Sequence, residues 1–272
     1  MKALTFLLLG YVLHSFAEVL QTFNRCNKFF FDRKVPSGFP STFHKICQKY
    51  GNKYHFATLY DTGNRIPVYS AYIYKKRAAG GRHADWKIEP QLSKQNWPPN
   101  MMTMKDLIKN VKTYPPKQIR TNIKLTQAVN NDYRGNYDKG HLNPVCHQCS
   151  QAAKNATFTF TNAAPMRCTL NRGEWKSMEF KWKNLKDCNG TKTYIITGTS
   201  STLHTGKLNN RVAVPQYVWS AMCCRARNRN VISHAAIGDN TNCTVTYLTV
   251  ADCEVQLSHW FNSNISLFQG KC

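Results

Sequence analysis

Between Asp138 and Glu179 one short stretch carries an ordered set of chemistry-capable side chains, and its element order restricts the fold more than any other feature of the chain. Asp138-Lys139-Gly140-His141-Leu142-Asn143-Pro144 comes first. Thr157-Phe158-Thr159-Phe160-Thr161 then alternates with a period of two, which predicts a half-buried strand. Asn162-Ala-Ala-Pro165 and Leu170-Asn171-Arg172-Gly173-Glu174-Trp175 follow. From there Trp175, Met178, Trp182 and Leu185 recur at helical spacing and give one apolar face. The order is strand, loop, strand, helix. With His141 closing the first strand and Asn171 opening the helix, the two side chains face each other across a cleft. Glu179 lies roughly 80° past two full turns from Asn171, so both share one side of that helix.

These residue types suit phosphodiester cleavage. A neutral imidazole can take a proton from water as a general base. A hard divalent cation prefers oxygen ligands and keeps most of its waters, so one amide oxygen and a carboxylate acting through water suffice to hold it. Each residue alone has an ordinary structural use. His141 suits a loop or core position, Asn171 with Glu174 resembles a helix capping box, and Glu179 could pair with Lys176 or Lys183 at helical spacing. Only the ordered set points to chemistry.

The rest of the chain predicts a mixed α+β fold built mainly on antiparallel sheet, with long loops. Phe56 to Tyr74 is rich in apolar and β-branched residues; Ile66 to Tyr74 reads as a strand, ended by Gly80-Gly81. A polar, proline-bearing region then runs to Tyr137 as long loops around one short helix near Met104 to Val111. Further strands are expected over Thr193 to Thr197, Val212 to Met222 and Thr244 to Val250.

Lys2, the apolar run from Ala3 to Leu13 and small residues around Ala17 have the order of a secretory signal, which predicts a leader over 1–17 and one domain over 18–272, with its core at about 54–262. Eleven cysteines, all beyond that cut, suit an oxidising, extracellular compartment and disulfide bonding; the odd number leaves at least one thiol unpaired within the chain. Cys146-His147-Gln148-Cys149 has the spacing of a metal knuckle, but it lacks a clear second ligand pair, so disulfides are the preferred assignment there. Adjacent Cys223 and Cys224 should take different partners. Four glycan acceptor sequons, at Asn155, Asn189, Asn242 and Asn264, agree with secretion.

With 37 Lys and Arg against 14 Asp and Glu, the net charge is +23. Such a balance favours phosphate polymers, acidic glycans or anionic surfaces and disfavours an exposed cationic substrate. No run after the leader approaches the roughly 18 apolar residues of a membrane span.

The ordered motifs resemble the DNA/RNA non-specific endonuclease family of the ββα-metal (His-Me finger) superfamily, whose pattern is Asp-Arg-Gly-His, Asn-x-x-Pro and Leu-Asn-x-x-x-Trp-x-x-x-Glu. Phe56-Ala-Thr-Leu-Tyr60, Ile66-Pro-Val-Tyr-Ser-Ala-Tyr72, Trp86-Lys-Ile-Glu-Pro-Gln-Leu92 and Thr197-Gly198 extend the resemblance towards its secreted vertebrate endonuclease domain-containing 1 branch. The resemblance implies His141 as general base, Asn171 as direct magnesium ligand, with manganese as the alternative ion, and Glu179 acting on the metal through water. It implies that Asp138 orders the histidine loop, that Asn162 lies near the active site, and that an upstream arginine, assigned here to Arg82, contacts the scissile phosphate. Lys139 departs from the family arginine, keeping the charge but losing the planar fork that binds phosphate in two places. The implied activity is magnesium-dependent hydrolysis of DNA, with RNA open as a second substrate, through contacts to backbone phosphates. The competing reading is a weak or inactive secreted cationic protein that holds extracellular nucleic acid or acidic glycan. Oligomeric state is left open.

Overall fold

The computed structural model describes residues 19–76, 81–185, 187–188, 190–201 and 203–272. The expected leader, Gly80 and the Asn189 sequon lie outside the described residues. In chain order the strands are β1 (Val19–Leu20), β2 (His44–Tyr50), β3 (Lys53–Asp61), β4 (Ile66–Tyr74), β5 (Tyr137–His141), β6 (Ala163–Arg167), β7 (Thr193–Thr199), β8 (Leu203–Leu208), β9 (Val212–Pro215), β10 (Tyr217–Arg225), β11 (Val231–Asp239) and β12 (Thr244–Leu248). The helices are α1 (Pro90–Ser93), α2 (Met104–Asn110), α3 (Pro116–Thr126), α4 (Gln151–Thr157), α5 (Cys168–Arg172), α6 (Glu174–Lys183) and α7 (Val250–Phe261). Eight strands form one antiparallel sheet in the order β1-β2-β3-β4-β7-β10-β11-β12, and β5-β6 and β8-β9 form separate two-stranded antiparallel sheets, the first pair joined through α4. The α+β class with a dominant antiparallel sheet is as the sequence predicts.

Side-chain alternation assigns the two faces. Leu59, Tyr69, Ile196, Trp219 and Cys223 point to one face, where the amino-terminal 3-10 turns and α7 cover them. Phe56, Tyr72, Ile195, Val218, Met222 and Cys224 point to the other, where Trp175, Met178 and Trp182 of α6 pack on them. Because Cys223 and Cys224 are neighbours on β10, they face opposite ways. Cys223 therefore bonds to Cys272 and Cys224 to Cys188, while a third disulfide joins Cys26 and Cys47. The expectation of different partners holds.

The site-bearing face also carries a buried row of hydroxyls across four strands: Thr58, Ser70, Thr197 and Ser220 stand opposite one another in register. Thr58 and Ser70 are 3.0 Å apart at their oxygens, and Thr197 and Ser220 also pair. Partnered side chains are small enough for Leu142 and His147, which follow β5, to descend onto the sheet between this row and α6.

Several expected elements differ. Thr157 to Thr161 is not a strand: Thr157 ends α4, Phe160–Asn162 is a 3-10 turn, and the strand paired with β5 is β6. All five residues are buried, so the alternation of Thr and Phe does not divide core from solvent. The region taken as loops contains α3, started by Pro116 in the first turn and anchored by buried Ile119 and Ile123. Val212 to Met222 is interrupted between Pro215 and Tyr217. Val250 opens α7 instead of closing a strand, because Thr249 caps that helix by accepting from the Asp252 amide at 3.1 Å.

Candidate active site

The β5-β6 pair places the site. Its register sets His141 opposite Ala163 and Gly140 opposite Ala164. A Cβ at Gly140 would stand 2.7 Å from the Met166 Cβ, so glycine is the residue that lets the two strands close between Lys139 and His141. His141 then ends the strand beside a cleft of about 490 Å³, which is also lined by Arg82, Lys139, Asn171 and Glu179. Of the seven residues singled out in the sequence, five meet at this cleft, Arg82 included, whereas Asp138 and Asn162 stand behind its lining.

His141 is packed between Trp86 and Phe158, with ring centroids at 5.1 and 4.9 Å. One ring nitrogen bonds to the Lys139 backbone, and Nε2 is buried without a hydrogen-bond partner. The bonded nitrogen is therefore Nδ1, donating to a carbonyl, and Nε2 is left as the acceptor. Burial, assisted by the charges of Arg82 and Lys139, pushes the imidazole down to about 3, so it is neutral at physiological pH. The guanidinium of Arg82 lies 5.4 Å from the centroid of the Phe158 ring. Lys139 donates to Asn130 Oδ1 at 2.7 Å and lies 5.0 Å from the Trp86 centroid.

Asn171 and Glu179 do not share one helix. Gly173, at φ −103° and ψ −111°, ends α5 and starts α6, so the angular argument for a common helix face fails even though both side chains reach the cleft. Nor does Asn171 cap α6. Its Nδ2 donates to Asp138 Oδ2 at 2.8 Å, and this leaves Oδ1 as the end available to a cation. Asp138 also accepts a two-point contact from Arg172, at 2.9 and 2.7 Å. Burial raises the Asp138 carboxyl, but the bonds from Arg172, Asn171 and Cys168 outweigh it and hold the group below its ordinary range. Asp138 thus orients Asn171 and ties α5 to the strand that carries His141.

Glu179 is pushed up to about 8 by burial, against the opposing effects of the Cys146 thiol, Arg82 and Lys176. Cys146 Sγ donates to Glu179 Oε2 at 3.8 Å. This contact faces Cys146 towards α6, where no cysteine stands, and both Cys146 and Cys149 are unpaired, contrary to the expected disulfides. The knuckle reading gains no support: among the described residues no three His, Cys, Asp or Glu are grouped to hold a metal. His147 instead links the cleft to the sheet, bonding to the Tyr72 hydroxyl through Nδ1 and to the Glu179 carbonyl through Nε2, each at 3.0 Å. Asn162 is fully buried and does not line the cleft. It receives the Asn143 amide at 2.9 Å and donates to the carbonyls of Asn143 and Thr157, fixing the turn after His141. Buried Lys154 and exposed Phe180 line the cleft without any sequence pattern to mark them.

The strand that ends in His141 is followed by two short helices, α5 and α6, which bring an amide side chain and a carboxyl group to the same cleft. Residues 37–267 match the family model for the DNA/RNA non-specific endonucleases, and the chain belongs to that family. It is 34% identical over 207 residues to the human Endonuclease domain-containing 1 protein and 29% identical over 211 residues to the mouse protein of that name. Each match takes in 74% of this chain and 39% of the relative, so the chain spans about two fifths of the length of those relatives. Human mitochondrial Endonuclease G is 36% identical over 74 residues, 26% of this chain and 25% of that protein. The fold is similar to that in a crystal structure of an EndoG/EndoGI complex, with a TM-score of 0.50, 16% identity, and coverage of 76% of this chain and 81% of that one.

Proposed function

We propose that the chain is a secreted endonuclease that hydrolyses DNA, and RNA by the same chemistry, with a divalent cation, magnesium before manganese. The observation that carries this reading is the unpartnered Nε2 of His141, beside a cleft that also presents Asn171, Glu179 and the cations Arg82 and Lys139. Three disulfides suit an extracellular chain, and among the described residues no helix is long and apolar enough to cross a membrane.

His141 accepts the proton of the attacking water at Nε2. Its basicity is held down in part by Arg82 and Lys139, and a bound phosphate offsets both charges, so substrate binding raises the base as it is needed. Arg82 and Lys139 bind the phosphate; Asp138 keeps the Asn171 oxygen turned to the cleft. Asn171 Oδ1 and the Glu179 carboxylate are hard oxygen donors and fit a hard divalent ion. When bound, that ion supplies neutralisation of charge on the phosphate and its leaving oxygen. Phosphate contacts carry no sequence information, so cleavage is non-specific.

Nicking of supercoiled plasmid, with RNA in parallel, is expected in magnesium and absent in EDTA. No cleavage of either substrate in any divalent cation would sink the reading. The binding-only alternative draws on the protonated Glu179 and on lysine at position 139, and it predicts salt-sensitive binding indifferent to EDTA and to loss of Asn171.

Two outcomes are specific. Glu179 must lose its proton to serve a cation, so magnesium affinity is expected to climb with pH up to about 8 and level off above it, by at most roughly tenfold per unit. Calorimetric titrations at several pH values check this, with Glu179→Gln expected to flatten the curve. Lys139→Arg restores a planar, two-point phosphate donor and is expected to raise turnover several-fold and steepen salt dependence. No gain at any salt concentration counts against that role.

A further inference from the structure

A second cavity, of about 440 Å³, opens on the far side of Trp86 from the catalytic cleft. The two linings touch: the Trp86 ring of the second cavity lies 5.1 Å from the His141 ring, and Asn130, which lines the second cavity, accepts from the Nζ of the cleft residue Lys139 at 2.7 Å. Trp86, Met104 and Phe160 make the second cavity apolar, while Asn131, Arg120 and Lys124 stand at its polar edge. Nothing in the cleavage chemistry uses these groups.

We propose that this cavity receives one unstacked nucleobase of the substrate strand, next to the phosphate held at His141, so that single-stranded or locally opened nucleic acid is the favoured substrate. The inference rests on the nuclease reading. A flat, apolar ring with polar edges and an anion attached matches what the walls offer. The Met104 thioether and the apolar edges of Trp86 and Phe160, rings already packed on each other and against Lys139 and Tyr133, take the base, with little base preference because the contact is apolar. The Asn131 amide both donates and accepts, and Asp85 at the cavity accepts from exocyclic amines. Arg120 and Lys124, both exposed, take the flanking phosphate.

The test is binding in EDTA, where no cleavage occurs, at one fixed salt concentration. A single strand of about eight nucleotides is compared with an abasic strand of the same length and charge. The intact strand is expected to bind roughly tenfold more tightly. Ala84→Trp, at an exposed position lining the cavity, is expected to bring that ratio towards one by filling the space. Asn131→Ala, at an exposed position, is expected to reduce the ratio and serves if the larger side chain disturbs folding, whereas Arg120→Ala weakens both strands alike. Equal affinities in the unaltered protein, or a ratio untouched in correctly folded Ala84→Trp or Asn131→Ala variants, overturn the proposal. Plasmid nicking in magnesium is scored separately: a preserved ratio without nicking upholds the base site and fails the nuclease reading alone.

Discussion

His141→Ala is expected to lower the rate of plasmid nicking by about 10²- to 10⁴-fold, the range for loss of a positioned general base, while leaving nucleic-acid binding in EDTA close to unaltered. The separation follows from the site's division of labour. In the proposed mechanism proton transfer rests on Nε2, whereas attraction for the phosphate backbone rests on Arg82, Lys139 and the wider excess of positive charge. The alanine leaves a slot between Trp86 and Phe158 where the ring had packed. Added imidazole should enter that slot and restore part of the rate. A purely structural histidine would give neither the selective loss of rate nor the rescue. Nicking by His141→Ala at the unaltered rate would remove His141 from the mechanism.

The order of blocks from Asp138 to Glu179 was legible because chemistry demands particular residue types in sequence, and the β5-β6 register puts His141 where that order implies. Local geometry between the blocks was not legible. Gly173 turns the backbone sharply between α5 and α6, and a periodicity argument that assumes one continuous helix cannot see a break at a single residue. Alternation failed at Thr157 to Thr161 for a different reason: five fully covered residues hide which side is the core. α3 was masked by its polar surface, where two buried isoleucines carry the anchoring. Nor does the sequence show that the Asn162 amide is wholly engaged by the backbone of Asn143 and Thr157, since those bonds form only when the turn after His141 closes. The Cys146 contact to Glu179 depends on two segments meeting in space, and nothing local in either announces it.

The other large effect is expected at Asn171, and the Asp138 contact makes it sharper than a simple ligand deletion. Asn171→Ala removes the oxygen that the proposed mechanism gives to the cation and should cut metal-dependent nicking by about 10²- to 10³-fold, the scale seen when one stabilising group is taken from a charge-developing site. Magnesium affinity, measured by calorimetry, should fall with it. Asn171→Asp offers the metal a stronger donor and would be expected to help if ligand charge alone mattered. In this site it should fail. Nδ2 is the atom that meets Asp138 Oδ2 at 2.8 Å, and a second carboxylate there sets two negative charges against each other, so one of them takes up a proton or the side chain turns away. Asp138→Asn tests the same contact from the other side, since the new amide can offer either end to Asn171 and no longer dictates that Oδ1 faces the cleft; Arg172 also loses its ion pair. Both variants should keep the fold and bind nucleic acid in EDTA, yet nick slowly. Full activity in Asn171→Asp would mean that Asp138 does not set the orientation of Asn171.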